Sequence, residues 1–172
     1  MTGLQGKTKL NCELIASGTV NTLPATGRVN YSAGSAYSYG TGTGQANQVY
    51  SAVLTITASS STTLTLRGGS IVNPINEVAE FQTIKEIIID LAESLNSGTQ
   101  ASSVEVGNAA TPFVGPFSGG TVTMEVLKNG KLAVGGSTCA GWSCSAGMQL
   151  KIANNDAVNS AIVRVVIIGI KP

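Results

Sequence analysis

Few side chains in this 172-residue chain can do chemistry, and histidine is absent from it altogether. Histidine is the usual general base near neutral pH and a common metal ligand. Its absence removes the Ser-His-Asp triad, the Cys-His dyad, the zinc hydrolase site and the facial iron triad in one step. Carboxylates and thiols remain. Glu77, Glu80, Glu86, Asp90 and Glu93 crowd one stretch. A carboxylate glycosidase needs two such groups on opposite sides of a sugar-sized cleft, which neighbours on one element do not supply, so a solvated face is expected. The thiols are Cys12, Cys139 and Cys144. A Cys-only metal centre wants four thiolates, and an odd count argues against a secreted disulfide framework. Cys139 and Cys144 either pair across the glycine-rich turn around Trp142, leaving Cys12 free, or all three stay reduced. Gly40-Thr41-Gly42-Thr43-Gly44 lacks the Lys-Ser/Thr ending of a phosphate loop and opens no clear helix, so it reads as a hinge. The turn around Asp156 lacks the dense oxygen spacing of a calcium loop. No catalytic, metal-binding or cofactor-binding residue is expected.

The elements that would position any such group are strands. Residues 1–48 carry Gly, Ser, Asn and Thr with Tyr31, Tyr37 and Tyr39 and few strong apolar repeats. They read as an extended arm, with a short strand near Cys12 to Ile15, ordered by contact with something else or wrapped as loops on the same body. From Val49 the period becomes two. Val53 to Thr57 and Thr62 to Leu66 flank a Ser-rich turn and predict a hairpin. Val122, Met124 and Val126 share one face, and the following Asn129-Gly130 is a tight-turn signal before Leu132-Ala133-Val134 returns. Met148, Leu150 and Ile152 alternate with polar partners. The run Ile162 to Ile168, interrupted by Arg164, is largely apolar on both faces, which suits a strand inside a packed sheet.

Residues 78–96 are ambiguous. Phe81, Ile84, Ile88, Leu91 and Leu95 fall at helical spacing, but the β-branched run Ile87-Ile88-Ile89 favours a strand over about Thr83 to Leu91. The whole predicts an all-β fold: an antiparallel β-sandwich, jelly-roll-like, spanning 49–172, behind an N-terminal arm of 1–48. No internal repeat is visible, which argues against a propeller or solenoid.

Bulk composition bounds the partners. Ten Lys and Arg against nine Asp and Glu give a net charge of +1. The basic residues are scattered, where a nucleic-acid binder would show a basic stripe; no nucleic-acid partner is expected. The longest apolar run is far short of the roughly 20 residues a membrane helix needs, and no signal-peptide core follows the N-terminal lysines. The expectation is a soluble product made in the cytoplasm, with no membrane partner. Association would rest on shape and apolar contact. Thr111-Pro112-Phe113-Val114-Gly115-Pro116-Phe117 is a stiff apolar loop, and Trp142 sits between the two late cysteines. Aromatics anchor interfaces, so Phe113, Phe117, Trp142, Tyr31, Tyr37, Tyr39 and Tyr50 are the candidate contact residues. The alternative for the loop is that it caps its own sandwich.

Several pieces of the chain carry a resemblance. These are Gly42-Thr43-Gly44-Gln45-Ala46-Asn47, Ser59 to Leu66, Phe81-Gln82-Thr83-Ile84-Lys85, Val106 to Ala110, and the Ala140-Gly141-Trp142 turn. Ser145-Ala146-Gly147 leading into Met148 to Ile152, and the ending Val165 to Gly169, complete the pattern. In order and spacing, over roughly three-quarters of the chain from about Ser38, they resemble small β-rich structural proteins of tailed bacteriophages and prophages. Cys139 and Cys144 depart from that pattern. The resemblance implies a non-enzymatic virion protein made in the host cytoplasm. It fits best a capsid cement or head-decoration protein that binds the major capsid protein, stabilises the head and self-associates as a homodimer or homotrimer. The arm would reach the capsid protein by strand addition to a sheet edge. The alternative it implies is a fibre or spike component that binds a host receptor or glycan. No catalytic residue or cofactor carries over.

Overall fold

A computed structural model of the chain describes residues 6–20, 23–69, 71–73, 77–117, 119–136 and 138–172, with side chains described from Ser35 onward except that of Glu93. Alternation dominates it. β1 (Gly6–Val20) and β2 (Leu23–Tyr39) pair antiparallel from Gly6↔Tyr37 to Val20↔Leu23. Fifteen registered pairs at about 3.4 Å per residue make a ribbon about 50 Å long. The segment read as an arm with a short strand at Cys12 to Ile15 is thus a long hairpin. Short β3 (Gln45–Ala46) runs parallel to the end of β2.

The remaining strands are β4 (Gln48–Ile56), β5 (Ser60–Thr65), β6 (Thr83–Asp90), β7 (Ser103–Gly107), β8 (Thr123–Leu127), β9 (Lys131–Gly135), β10 (Trp142–Ser143), β11 (Gln149–Asn154) and β12 (Ala161–Ile170). One sheet runs β4-β12-β6, with β9 and β10 sharing the far edge of β6; the other runs β5-β11-β7-β8. The body is an all-β sandwich, and its strand order is that of a jelly roll. Leaving out short β10, the eight body strands in chain order place first, eighth, third and sixth in one sheet and second, seventh, fourth and fifth in the other.

The inward faces close one core. β12 contributes Val163, Val165 and Ile167, β6 contributes Ile87 and Ile89, and β4 contributes Tyr50 and Ile56. They meet Leu64, Val104, Val106, Val126, Leu150 and Ile152 from the second sheet. Residues 83–90 are a strand, as the β-branched run favoured; Ile87 and Ile89 face the core while Ile88 lies half-buried on the other side. The expected hairpin over 53–66 is corrected. β4 and β5 are consecutive but part into different sheets, because β4 pairs with β12 over nine positions and β5 pairs with β11. Asn129-Gly130 behaves the same way. Asn129 takes φ 62°, yet β8 pairs with β7 and β9 with β6, so the turn joins sheets. At the end of β9, Gly135 holds φ 97°, and a Cβ there would collide with the Lys85 carbonyl; only glycine lets β9 approach β6 so closely.

Two buried amides tie the layers. Asn154, 1% exposed at the end of β11, donates from Nδ2 to the carbonyls of Ile56 (3.1 Å), Thr57 (3.2 Å) and Asn159 (2.9 Å). Gln100 accepts from the Ile162 amide (2.8 Å) and donates to the Ile162 carbonyl (2.8 Å), standing in for a missing strand neighbour at the start of β12.

Candidate interaction surface at the hairpin base

The hairpin leaves the body across one end of the β4-β12-β6 sheet. Tyr37 on β2 is buried, and its hydroxyl donates to the Glu86 carboxylate on β6 at 2.8 Å. The Tyr37 ring packs with Ile168 of β12 and Ala46 of β3, flanked by Val49 and Val166. Two residues on, the Ser35 hydroxyl sits where a Cβ on Gly136 would meet it. β2 therefore passes over β12 and β6 and reaches the segment after β9. Burial, and then the bond to Glu86 and the charge of Glu86, push the Tyr37 phenol far above its usual range. Beneath this crossing, Lys85 is buried and donates to the Cys139 carbonyl at 3.1 Å. The seat is thus an apolar patch with one charged acceptor, and it fixes the hairpin's point of exit.

The outer face of this sheet carries more apolar surface. Alternation and register place Val49, Val53, Ile88, Ile162 and Val166 together on the side away from the core. Val53 is 55% exposed and the other four are half-buried. Three charges share the face in one row: Arg164 lies opposite Asp90, which pairs with Lys131 at 3.5 Å.

The aromatic candidates separate. Phe113 and Phe117 are each 2% exposed and belong to the chain's own core, as does Tyr50. Their loop is stitched to β11 through the Phe113 amide and the Gln149 carbonyl (2.8 Å), so it caps its own sandwich and these three rings offer no outward surface. Trp142 is half-buried against that core, and a Cβ on Gly115 would meet both its indole and the Phe113 ring. Tyr39 is exposed. The side chain of Tyr31 lies outside the described residues; its backbone pairs with Cys12. Of the six candidates whose side chains are described, Tyr37 is the one that bonds arm to body.

Cys139 and Cys144 are both free thiols, so the disulfide alternative is not realised. Cys144 is buried and its thiol is pushed up to about 11 by burial, while Cys139 is exposed. Asp156 accepts from the amides of Ser102, Val158 and Asn159. Those amides hold its carboxyl well below the usual carboxylate range, and its oxygens serve the turn. A shallow cleft of about 310 Å³ is lined by Ser59 to Ser61, Lys151 and Ala153 to Asn155. The Asn154 amide is already committed there, which leaves a single cation and scattered hydroxyls. Among the described residues no His/Cys/Asp/Glu group is placed to hold a metal ion.

Reading the arm as poor in apolar repeats missed its two-stranded register. Leu10, Cys12 and Leu14 alternate along β1, and Val29, Tyr31 and Ala33 along β2. That period-two signal was present in the sequence, but each half is weak until the register sets them opposite one another. Comparison with protein-family models, with characterised protein sequences and with solved structures finds no match to this chain.

Proposed function

We propose that the protein is a non-enzymatic structural component of a tailed-phage virion, a cement or decoration protein that binds the major capsid protein and stabilises the head. The observation that carries this reading is the combination of a jelly-roll body with a hairpin about 50 Å long leaving it at a buried anchor. Jelly rolls recur in capsid domains, which is an association of fold and not of site. The hairpin adds a physical argument, because a two-stranded ribbon is marginal in water unless something packs against it. Backbone pairing with a shell protein is open at β4. This nine-residue strand ends its sheet and carries neither proline nor charge, the usual means of blunting an edge.

Exposed Tyr39 and half-buried Trp142 favour a second reading, a fibre or spike component that stacks these rings on a host glycan. Copy number separates the two. Virions of the phage that encodes the chain are purified and the protein is quantified by mass spectrometry against the major capsid protein. Hundreds of copies support cement or decoration. A handful with saturable glycan binding, lost on Trp142→Ala, supports the fibre. Absence from virions overturns both.

A further inference from the structure

β4 is the longest open edge of the body. It pairs with β12 on one side and has no strand beside it on the other. Among the described residues, no backbone group from Ser51 to Thr55 bonds to anything but β12. Side-chain burial records the same gap. Ala52 and Leu54 point into the sandwich, level with Val165 and Val163 of β12. Those two valines are fully buried between flanking strands, yet Ala52 and Leu54 stay half-buried. On the outer side Ser51, Val53 and Thr55 are all exposed, so nothing in the chain lies over them. The other edges are shorter or blunted by charge. β9 carries Lys131, β8 carries Glu125, and β5 has six residues to the nine of β4.

We propose that β4 pairs antiparallel with β4 of a second copy of this chain, across a two-fold axis at Val53, and joins the two β4-β12-β6 sheets into one. An antiparallel pair of identical strands sets each residue opposite its own reflection. The sequence of β4 is close to a palindrome in chemical type about Val53. Ala52 meets the second copy's Leu54, Ser51 meets its Thr55 and Tyr50 meets its Ile56. Hydroxyl faces hydroxyl, a small apolar residue faces a large one, and Val53 meets its own copy as a β-branched pair. No charge in the strand has to be desolvated. A strand of another protein would have to match this pattern, whereas a second copy supplies it by symmetry. Pairing from Tyr50 to Ile56 forms about seven backbone hydrogen bonds. At about 3.4 Å per residue and a layer about 10 Å thick, it covers about 240 Å² on each partner. That is small beside a standard interface, so the pair is reversible and forms at high protein concentration. It uses up the open edge and so cannot grow through it. The pairing holds whether or not the protein sits on a shell, and its test needs purified protein.

The test is sedimentation velocity from micromolar to millimolar concentration on the wild type, Val53→Lys, Val53→Glu and Thr63→Lys. Circular dichroism and thermal melts check that each variant folds. Val53 is 55% exposed and Thr63 is exposed, so these changes spare the core. The wild type is expected to form a concentration-dependent dimer, and Thr63→Lys, altered on the β5 edge, is expected to keep it. Val53→Lys and Val53→Glu each set a charge against its own copy at the axis, and the dissociation constant should rise by about tenfold or more. Mixing these two restores dimers to about the wild-type level, because opposite charges then face each other across the axis. A wild type that stays monomeric over the whole range overturns the proposal. So does a dimer that survives both Val53 variants, and so does a mixture that stays monomeric. Loss of the dimer with Thr63→Lys would place the contact on β5 and overturn it as well. A monomeric wild type that binds purified major capsid protein, with binding abolished by Val53→Lys, would assign the edge to a shell strand and equally overturn it.

Discussion

Asn154→Asp should damage this fold more than Asn154→Ala, and the difference should shrink in acid. The Asn154 side chain is 1% exposed, and its two Nδ2 hydrogens serve three carbonyls, those of Ile56, Thr57 and Asn159. Its Oδ1 accepts from the Asp156 amide at 3.1 Å. The residue therefore ties β11 of one sheet to the end of β4 in the other. Alanine removes these bonds, and the three donated ones, whose buried acceptors are stranded, account for a loss of about 3 kcal/mol at about 1 kcal/mol per bond. For a chain of this length that lowers Tm by about 6–12 °C. Aspartate is nearly isosteric, but it sets a buried carboxylate oxygen against those carbonyls, which brings the loss to about 4–5 kcal/mol. The introduced carboxyl would have its folded pKa raised above the unfolded value of about 3.9. The neutral acid donates a proton to the carbonyl cage, so its contribution is fully present below the unfolded pKa and lost as pH rises through the folded one. Urea unfolding followed by Trp142 fluorescence and circular dichroism, at neutral pH and near the carboxylate range, measures both variants against the wild type. If Asn154→Asp matches the wild type at neutral pH, or its deficit is independent of pH, the amide does not hold the sheets together in this way.

Two further outcomes follow from the hairpin base and the thiols. Tyr37→Phe keeps the ring on Ile168 and deletes the donor to Glu86, a charge-assisted bond worth about 1.5–3 kcal/mol. Amide exchange around 23–39, read by mass spectrometry, should speed up by about 10–100-fold with little change in core strands; unchanged exchange would show that the hydroxyl does not anchor the arm. In native protein near neutral pH, maleimide should label Cys139 promptly. Cys144, buried with its thiol raised to about 11, should be spared until urea exposes it. Equal labelling of the two, or protection of both until reductant is added, would contradict the arrangement around Trp142.

What the sequence disclosed was faces, and what it withheld was partners. Alternation in Leu150-Lys151-Ile152, and the β-branched run at Ile87 to Ile89, marked strands that the structure contains. The period-two signal says which side chains share a side but not which strand lies beside which. Val53 to Thr57 and Thr62 to Leu66 looked like a hairpin because they are close in sequence. The long apolar β12 outcompetes that local pairing by giving β4 nine registered positions. The aromatic loop was legible as stiff and apolar, yet its sequence cannot distinguish a ring turned outward from Phe113 and Phe117 turned into their own core. Tyr37 was marked for its type alone; its role depends on Glu86, 49 residues away in sequence.

Composition and surface together set how prone such a chain is to aggregate. Charged residues are 11% of the sequence, less than half the roughly 25% usual in globular domains. A surface so poor in charge has little to keep like molecules apart. β4 leaves an uncharged, proline-free edge at the end of its sheet, and beside it Val53 is 55% exposed. An exposed edge next to an apolar face is the arrangement that invites open-ended stacking. Natural sheets usually blunt it with lysine or a bulge, but here the nearest charges, Arg164, Asp90 and Lys131, are drawn into a row across the sheet.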